Sequence, residues 1–120
     1  MDKLPFLTIN GVDTTMGLDY HDGVMRNYRE TLKAFYDDGV TKPDQIRDCL
    51  EKNDIKLYTT LVHGLKGDCM TIGAQEAADF ARELENAGKS RELGLITERT
   101  DSFLNKLDTL LQSINEAITD

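Results

Sequence analysis

One short stretch of the sequence combines residue types that could carry out chemistry, and its centre is His63. Gly64, Lys66 and Gly67 follow it closely. A neutral imidazole is a nucleophile near neutral pH, and a lysine three residues further along a helix lies on the same side. Glycine in a helix interior costs about 1 kcal/mol relative to alanine, so a compensating role is expected for both glycines. A histidine beside a cation, with a cleared approach, suggests a nucleophile that carries a phosphoryl group.

The residues around His63 are predicted to form a helix over 54–72 that ends near Gly73. Its apolar residues recur at three- and four-residue spacing and fill one arc of the helix. His63 falls almost opposite the middle of that arc, so its side chain should face solvent. The competing interpretation is an ordinary polar surface histidine, because a histidine needs no functional role. The predicted buried arc contains Leu57, Tyr58, Leu61, Val62, Leu65, Cys69 and Ile72.

The sequence resembles histidine phosphotransfer (HPt) domains in the segments His63-Gly64-Leu65-Lys66-Gly67, Ile72-Gly73-Ala74 and Leu84-Glu85. The spacing between these segments also matches the family pattern. Further similarity lies upstream, in Val12-Asp13, Gly17-Leu18, Tyr28, Leu32, Phe35 and Asn53-Asp54. The resemblance covers nearly the whole chain and is thinnest after residue 90. The upstream part is most similar to the C-terminal HPt domains of bacterial hybrid sensor kinases.

The resemblance implies a reaction and a set of site residues. His63 Nε2 would accept a phosphoryl group from the aspartyl phosphate of a response-regulator receiver domain and relay it to another receiver. Lys66 would hold the phosphoryl oxygens as a point charge, and Gly67 would leave room for the partner. Glu85, if it is more than a surface glutamate, would accept a hydrogen bond from the other ring nitrogen. Mg²⁺ would belong to the receiver, so this chain is expected to hold no metal ion or other cofactor.

Composition and charge restrict the remaining possibilities. With 120 residues, 39% hydrophobic and 30% charged, residues 1–120 are expected to form one soluble globular domain, with a lead-in or linker at 1–11. The net charge of −8 argues against nucleic acid as a partner. No apolar run reaches the length of a membrane span, and no signal peptide is visible, so no membrane contact by this domain is expected. The expected location is the cytoplasm, or the cytoplasmic side of a membrane-bound hybrid kinase. Cys49 and Cys69 occupy apolar helix positions and are predicted to be buried thiols.

All the periodic segments of the sequence are helical, and the connections between them are short. The fold is therefore predicted to be all-α, an antiparallel four-helix bundle with an extra short helix from Asp13 to about Tyr20. Gly88 is expected to end an alanine-rich helix, and the long C-terminal helix is expected to begin near Thr100. His21 is interpreted as a surface residue.

Three other functions stay open beside the phosphorelay carrier. The chain could be the substrate domain of a chemotaxis-type kinase, or a helical interaction module that is never phosphorylated. A metal-binding bundle using His63 and His21 is the third, although the sequence offers no cluster of ligands around them. Because no nucleotide-binding loop is present, no kinase activity of its own is expected. A parent hybrid sensor kinase is a further expected partner. The sequence leaves open whether such a phosphoryl carrier counts as an enzyme.

Overall fold

The computed structural model describes residues 8–119, and six α-helices occur in that range. They are α1 (Thr14–Tyr20), α2 (Met25–Gly39), α3 (Lys42–Glu51), α4 (Ile55–Ile72), α5 (Gln75–Lys89) and α6 (Leu93–Ile118). No strand occurs between residues 8 and 119, which confirms the predicted all-α class. The predicted lead-in at 1–11 lies mostly outside the described residues.

Contacts between helices show that α2, α4, α5 and α6 form an antiparallel four-helix bundle, as predicted. His63 on α4 contacts Glu85 on α5, whereas Thr59, one turn earlier on α4, lies against Gly88, further along α5. The partners therefore advance in opposite directions along the two helices. The same reversed order relates α5 to α6 and α6 to α2, in the pairs Glu76–Lys106, Glu83–Arg99, Arg29–Ile118 and Gly39–Leu111.

Two aspartates cap the first turns of α1 and α4. The Asp13 carboxylate accepts a hydrogen bond from the backbone N–H of Met16 at 3.0 Å, and Asp54 accepts one from Leu57 at 3.1 Å. Each interaction satisfies a backbone donor that the first helical turn leaves unpaired. At the other end of α4, Gly73 adopts a left-handed conformation with a φ of 88°, which glycine tolerates without steric cost. The capped start and the glycine end confirm the predicted extent of the His63 helix.

The core lies between the four bundle helices and is almost entirely apolar. Its buried hydrogen bonds include one between the hydroxyls of Tyr58 and Thr100 at 2.7 Å and one that the Tyr28 hydroxyl donates to the Ile72 carbonyl at 2.8 Å. Cys49 and Cys69 are buried free thiols, as predicted, and burial raises the pKa of Cys69 to about 12. Among residues 8–119, no helix is both long enough and apolar enough to serve as a membrane span.

The predicted end of the alanine-rich helix at Gly88 is wrong. Helix α5 continues through Gly88 to Lys89, and Arg91, with a φ of 53°, adopts the left-handed conformation that follows the helix. Gly88 is buried against the side chain of Thr59, whose Cβ would lie 3.1 Å from an added Cβ. The glycine therefore lets α4 and α5 approach each other closely, and it does not end the helix.

The predicted start of the C-terminal helix near Thr100 is also wrong, because α6 already begins at Leu93. Gly94 falls in the exposed first turn of α6, where it does not interrupt the interior of the helix. Ile96, one turn further, is only 1% exposed. Its burial against the core joins this turn to the long helix, and the local sequence alone did not indicate that continuity.

The buried face of α4 is rotated relative to the predicted arc. Leu57, predicted to be buried, is 47% exposed, whereas Ile55, which the predicted arc omitted, is 4% exposed. Because α5 packs closely along one flank of α4, the buried face extends towards that flank and away from Leu57. His63 consequently lies close to the edge of α5.

Candidate functional site

His63 lies near the middle of α4 and points out of the bundle, as the sequence predicts. Its side chain is 63% exposed. The residues one turn before and one turn after, Thr59 and Lys66, lie on the side of α4 that faces α5. The ring is therefore open to solvent on one side and adjacent to a neighbouring helix on the other.

Glu85 reaches His63 from α5 and is almost completely buried, with 3% of its side chain exposed. Small residues on the same helix allow this approach, because Ala78, Ala81 and Gly88 bring the backbones of α5 and α4 close together. A carboxylate buried to this extent is unfavourable unless cations or hydrogen-bond donors compensate its charge. The donors that do so define the candidate site.

The imidazole of His63 is one of these donors. Its Nδ1 lies 2.7 Å from Oε2 of Glu85. Since an ionised carboxylate can only accept hydrogen bonds, Nδ1 carries the proton and donates it to this contact. The neutral ring then has its lone pair on Nε2, the nitrogen on the exposed side. The contact fixes both the tautomer and the orientation of the ring, and it leaves Nε2 as the nucleophilic atom.

Two lysines contact the same carboxylate. Nζ of Lys66 lies 2.7 Å from Oε1 of Glu85, and Nζ of Lys89 lies 3.3 Å from Oε2. Burial by itself raises the pKa of Glu85, but the contacts with Lys66, His63 and Lys89 outweigh it and lower that pKa to about 2. The carboxylate is consequently ionised throughout the physiological range and stays available to the imidazole.

The glycines of α4 leave the approach to His63 open. Apart from the adjacent residues and the backbone of α4 itself, no heavy atom lies within 4 Å of the position that a Cβ would occupy on Gly64 or on Gly67. Both residues are exposed, and neither has a positive φ. The fold therefore provides no steric reason for glycine at either position.

The structure brings together three of the predicted site residues, His63, Lys66 and Glu85, with Gly67 beside them. His21 lies elsewhere, and its interpretation as a surface residue is wrong. It is half-buried, and its ring nitrogens hydrogen-bond with the carbonyl of Gly17 at 2.7 Å and the hydroxyl of Thr31 at 2.8 Å. No group of three His, Cys, Asp or Glu side chains suited to a metal ion occurs within residues 8–119.

The model of one protein family, described as Hpt domain, matches residues 30–117 of the chain. The chain belongs to the Hpt domain family. This Hpt domain therefore has a histidine phosphotransfer role in phosphorelay signalling, and Hpt domains generally interact with response-regulator receiver domains. The matched range includes α3 to α5, two-thirds of α2 and nearly all of α6, but it does not include the similarity noted before residue 30. Comparison with curated proteins and with solved structures returned no match.

Sequence reasoning missed Lys89 in this Hpt domain. The signal was available, because Glu85 and Lys89 are four residues apart, with the glutamate on the N-terminal side, the spacing at which oppositely charged side chains meet on a helix. What the sequence did not show is that Glu85 faces α4. Without that information, the pair is indistinguishable from an ordinary pair on the solvent face.

Proposed function

We propose that His63 is the phosphoacceptor of this Hpt domain, taking a phosphoryl group from a receiver-domain aspartate and passing it to another receiver. The single observation that carries the proposal is the 2.7 Å contact between Nδ1 of His63 and the buried carboxylate of Glu85. It holds an exposed ring in one tautomer, with the Nε2 lone pair directed to solvent.

The chemistry assigned to the site is an in-line phosphoryl transfer. The Nε2 lone pair forms the new N–P bond while the P–O bond to the receiver aspartate breaks, and the aspartate leaves with that electron pair as a carboxylate. The proton on Nδ1 stays in place, so the ring gains positive charge as the bond forms. The carboxylate of Glu85 stabilises this charge, which is a contribution that grows in the transition state.

Lys66 is assigned to the phosphoryl oxygens. It lies one turn from His63 on the same helix, and its ammonium already lies at the site through its contact with Glu85. Phosphoryl transfer depends mainly on positioning and on neutralising charge, which a lysine at this distance can provide. The Mg²⁺ that such transfers use is expected on the receiver. We place the domain in the cytoplasm, where its two free thiols would stay reduced.

Transfer from a phosphorylated receiver tests the proposal. A panel of purified receiver domains is labelled with radioactive acetyl phosphate, freed of excess reagent and mixed with the Hpt domain. We expect label to move to the Hpt domain as an acid-labile, alkali-stable phosphoramidate. His63→Gln should abolish labelling and keep the fold, since the glutamine amide can still donate a hydrogen bond to Glu85. His21→Gln is the matched control and should accept label.

The same assay separates the competing functions. Labelling that requires an ATP-binding kinase domain, and never occurs from a receiver, would identify the substrate domain of a chemotaxis-type kinase. No labelling from either source would leave a helical interaction module. Label accepted by His63→Gln, or lost only in His21→Gln, would contradict the assignment of His63 as the phosphoacceptor.

A further inference from the structure

Lys89 is a charged residue at the site to which the proposed transfer assigns no task. Its Nζ lies 3.3 Å from Oε2 of Glu85, the same oxygen that accepts the hydrogen bond from His63. Lys66 occupies the other oxygen at 2.7 Å. One buried carboxylate therefore has two ammonium groups, although a single cation is enough to balance its charge.

The second cation becomes useful when the phosphoryl group arrives. The ammonium of Lys66 contacts Glu85 in the unphosphorylated protein, so it must weaken or leave that contact in order to hold the phosphoryl oxygens. A buried carboxylate that loses its only cation is strongly destabilised. Protonation of Glu85 would relieve this cost, but it would also remove the acceptor that the positively charged ring requires.

The two lysines differ in a way that suits them to separate tasks. Lys66 is on α4 with His63 and is 22% exposed, whereas Lys89 is on α5 with Glu85 and is 64% exposed. The contact between Lys89 and Glu85 lies within one helix, so it does not depend on where Lys66 points. Lys89 can remain on the carboxylate while Lys66 changes partner.

We propose that Lys89 is a positioning residue of the phosphotransfer site, which holds the Glu85 carboxylate ionised and in place while Lys66 turns to the phosphoryl group on His63. This inference rests on the proposed function of His63. The charged and titratable groups around the carboxylate are His63 and Lys66 from α4 and Lys89 from α5. Without Lys89, whenever Lys66 is engaged by phosphate, Glu85 would keep only the His63 ring, which gains positive charge only as the N–P bond forms.

The test compares Lys89→Met with two further variants of the full chain. Lys89→Arg keeps the charge and should behave like the wild type. Lys52→Met removes an ordinary exposed pair of the same spacing, since Nζ of Lys52 lies 3.0 Å from Asp48, and serves as the matched control. Each variant is mixed with the same labelled receiver over a range of pH, and thermal unfolding confirms that each is folded.

We expect Lys89→Met to accept label about fivefold more slowly, the upper end of the range for a pair with one exposed partner. The decline of its transfer rate in acid should move to higher pH, because the second ammonium no longer opposes protonation of the site. Lys89→Arg should restore both values, and Lys52→Met should change neither. A merely structural lysine would alter stability without moving the pH profile.

The experiment distinguishes failure of the inference about Lys89 from failure of the proposed function. If the wild type accepts label and Lys89→Met matches it in rate and pH profile, the role of Lys89 is refuted while His63 remains the acceptor. If the wild type accepts no label from any receiver, the proposed function fails, and the inference about Lys89 fails with it.

Discussion

Replacing Gly64 and Gly67 with alanine should stabilise the fold, although both glycines lie beside the proposed reactive histidine. Both are inside α4 with helical φ, and both Cβ positions have no neighbour within 4 Å. Alanine is favoured over glycine by about 1 kcal/mol at such positions, so the double variant should gain about 2 kcal/mol. For a domain of this size, that corresponds to a melting temperature raised by about 6–10 °C.

Urea and thermal unfolding followed by circular dichroism measure this gain. Gly88→Ala is the matched control, because it is also a glycine inside a helix, but its added Cβ would run into Thr59. The same chemical change should therefore destabilise the protein there. If the Gly64 and Gly67 variants also lose stability, or if Gly88→Ala gains as much as they do, the packing argument is refuted.

The functional half of the prediction concerns a larger side chain. Gly67→Leu should fold at least as well as the wild type but slow transfer from a receiver by on the order of a hundredfold, because the side chain displaces the partner from His63. Gly94→Leu is the control, since Gly94 has equally open surroundings on α6. An unchanged transfer rate in Gly67→Leu would show that the glycines do not clear the approach of the partner.

Three further predictions follow from the structure. Cys49 and Cys69 should react slowly with a thiol reagent in the native protein and quickly after unfolding, because both are buried; fast native labelling of both would contradict their placement. His21→Gln should lower unfolding stability by about 1 kcal/mol through two altered hydrogen bonds, yet leave phosphorylation unchanged. The pKa of Glu85 is about 2 against an ordinary 4.5, so the contribution of its carboxylate to folding stability is complete above pH 4.5 and lost as the pH falls towards 2. In urea unfolding, Glu85→Gln should lack this part of the acid dependence of stability.

Much of the fold follows from local patterns in the sequence. Apolar spacing places His63 on an outward face, and Asp54 and Gly73 mark the two ends of its helix, because capping and glycine conformation depend on neighbours along the chain. The open surroundings of Gly64 and Gly67 follow from the same helical spacing, because both residues lie outside the apolar arc. The family resemblance named Glu85 as a partner of the ring, but the residues alone could not place it.

Tertiary structure decided which residues meet across helices. Helical periodicity fixes the angle of a side chain around its own axis, but it does not show which helix covers that side or in which register. The close packing of α5 on α4, which includes Gly88 against Thr59, carries Glu85 into a buried position beside His63. The ion pairs of that carboxylate, its lowered pKa and the involvement of Lys89 all depend on this packing of α5 against α4.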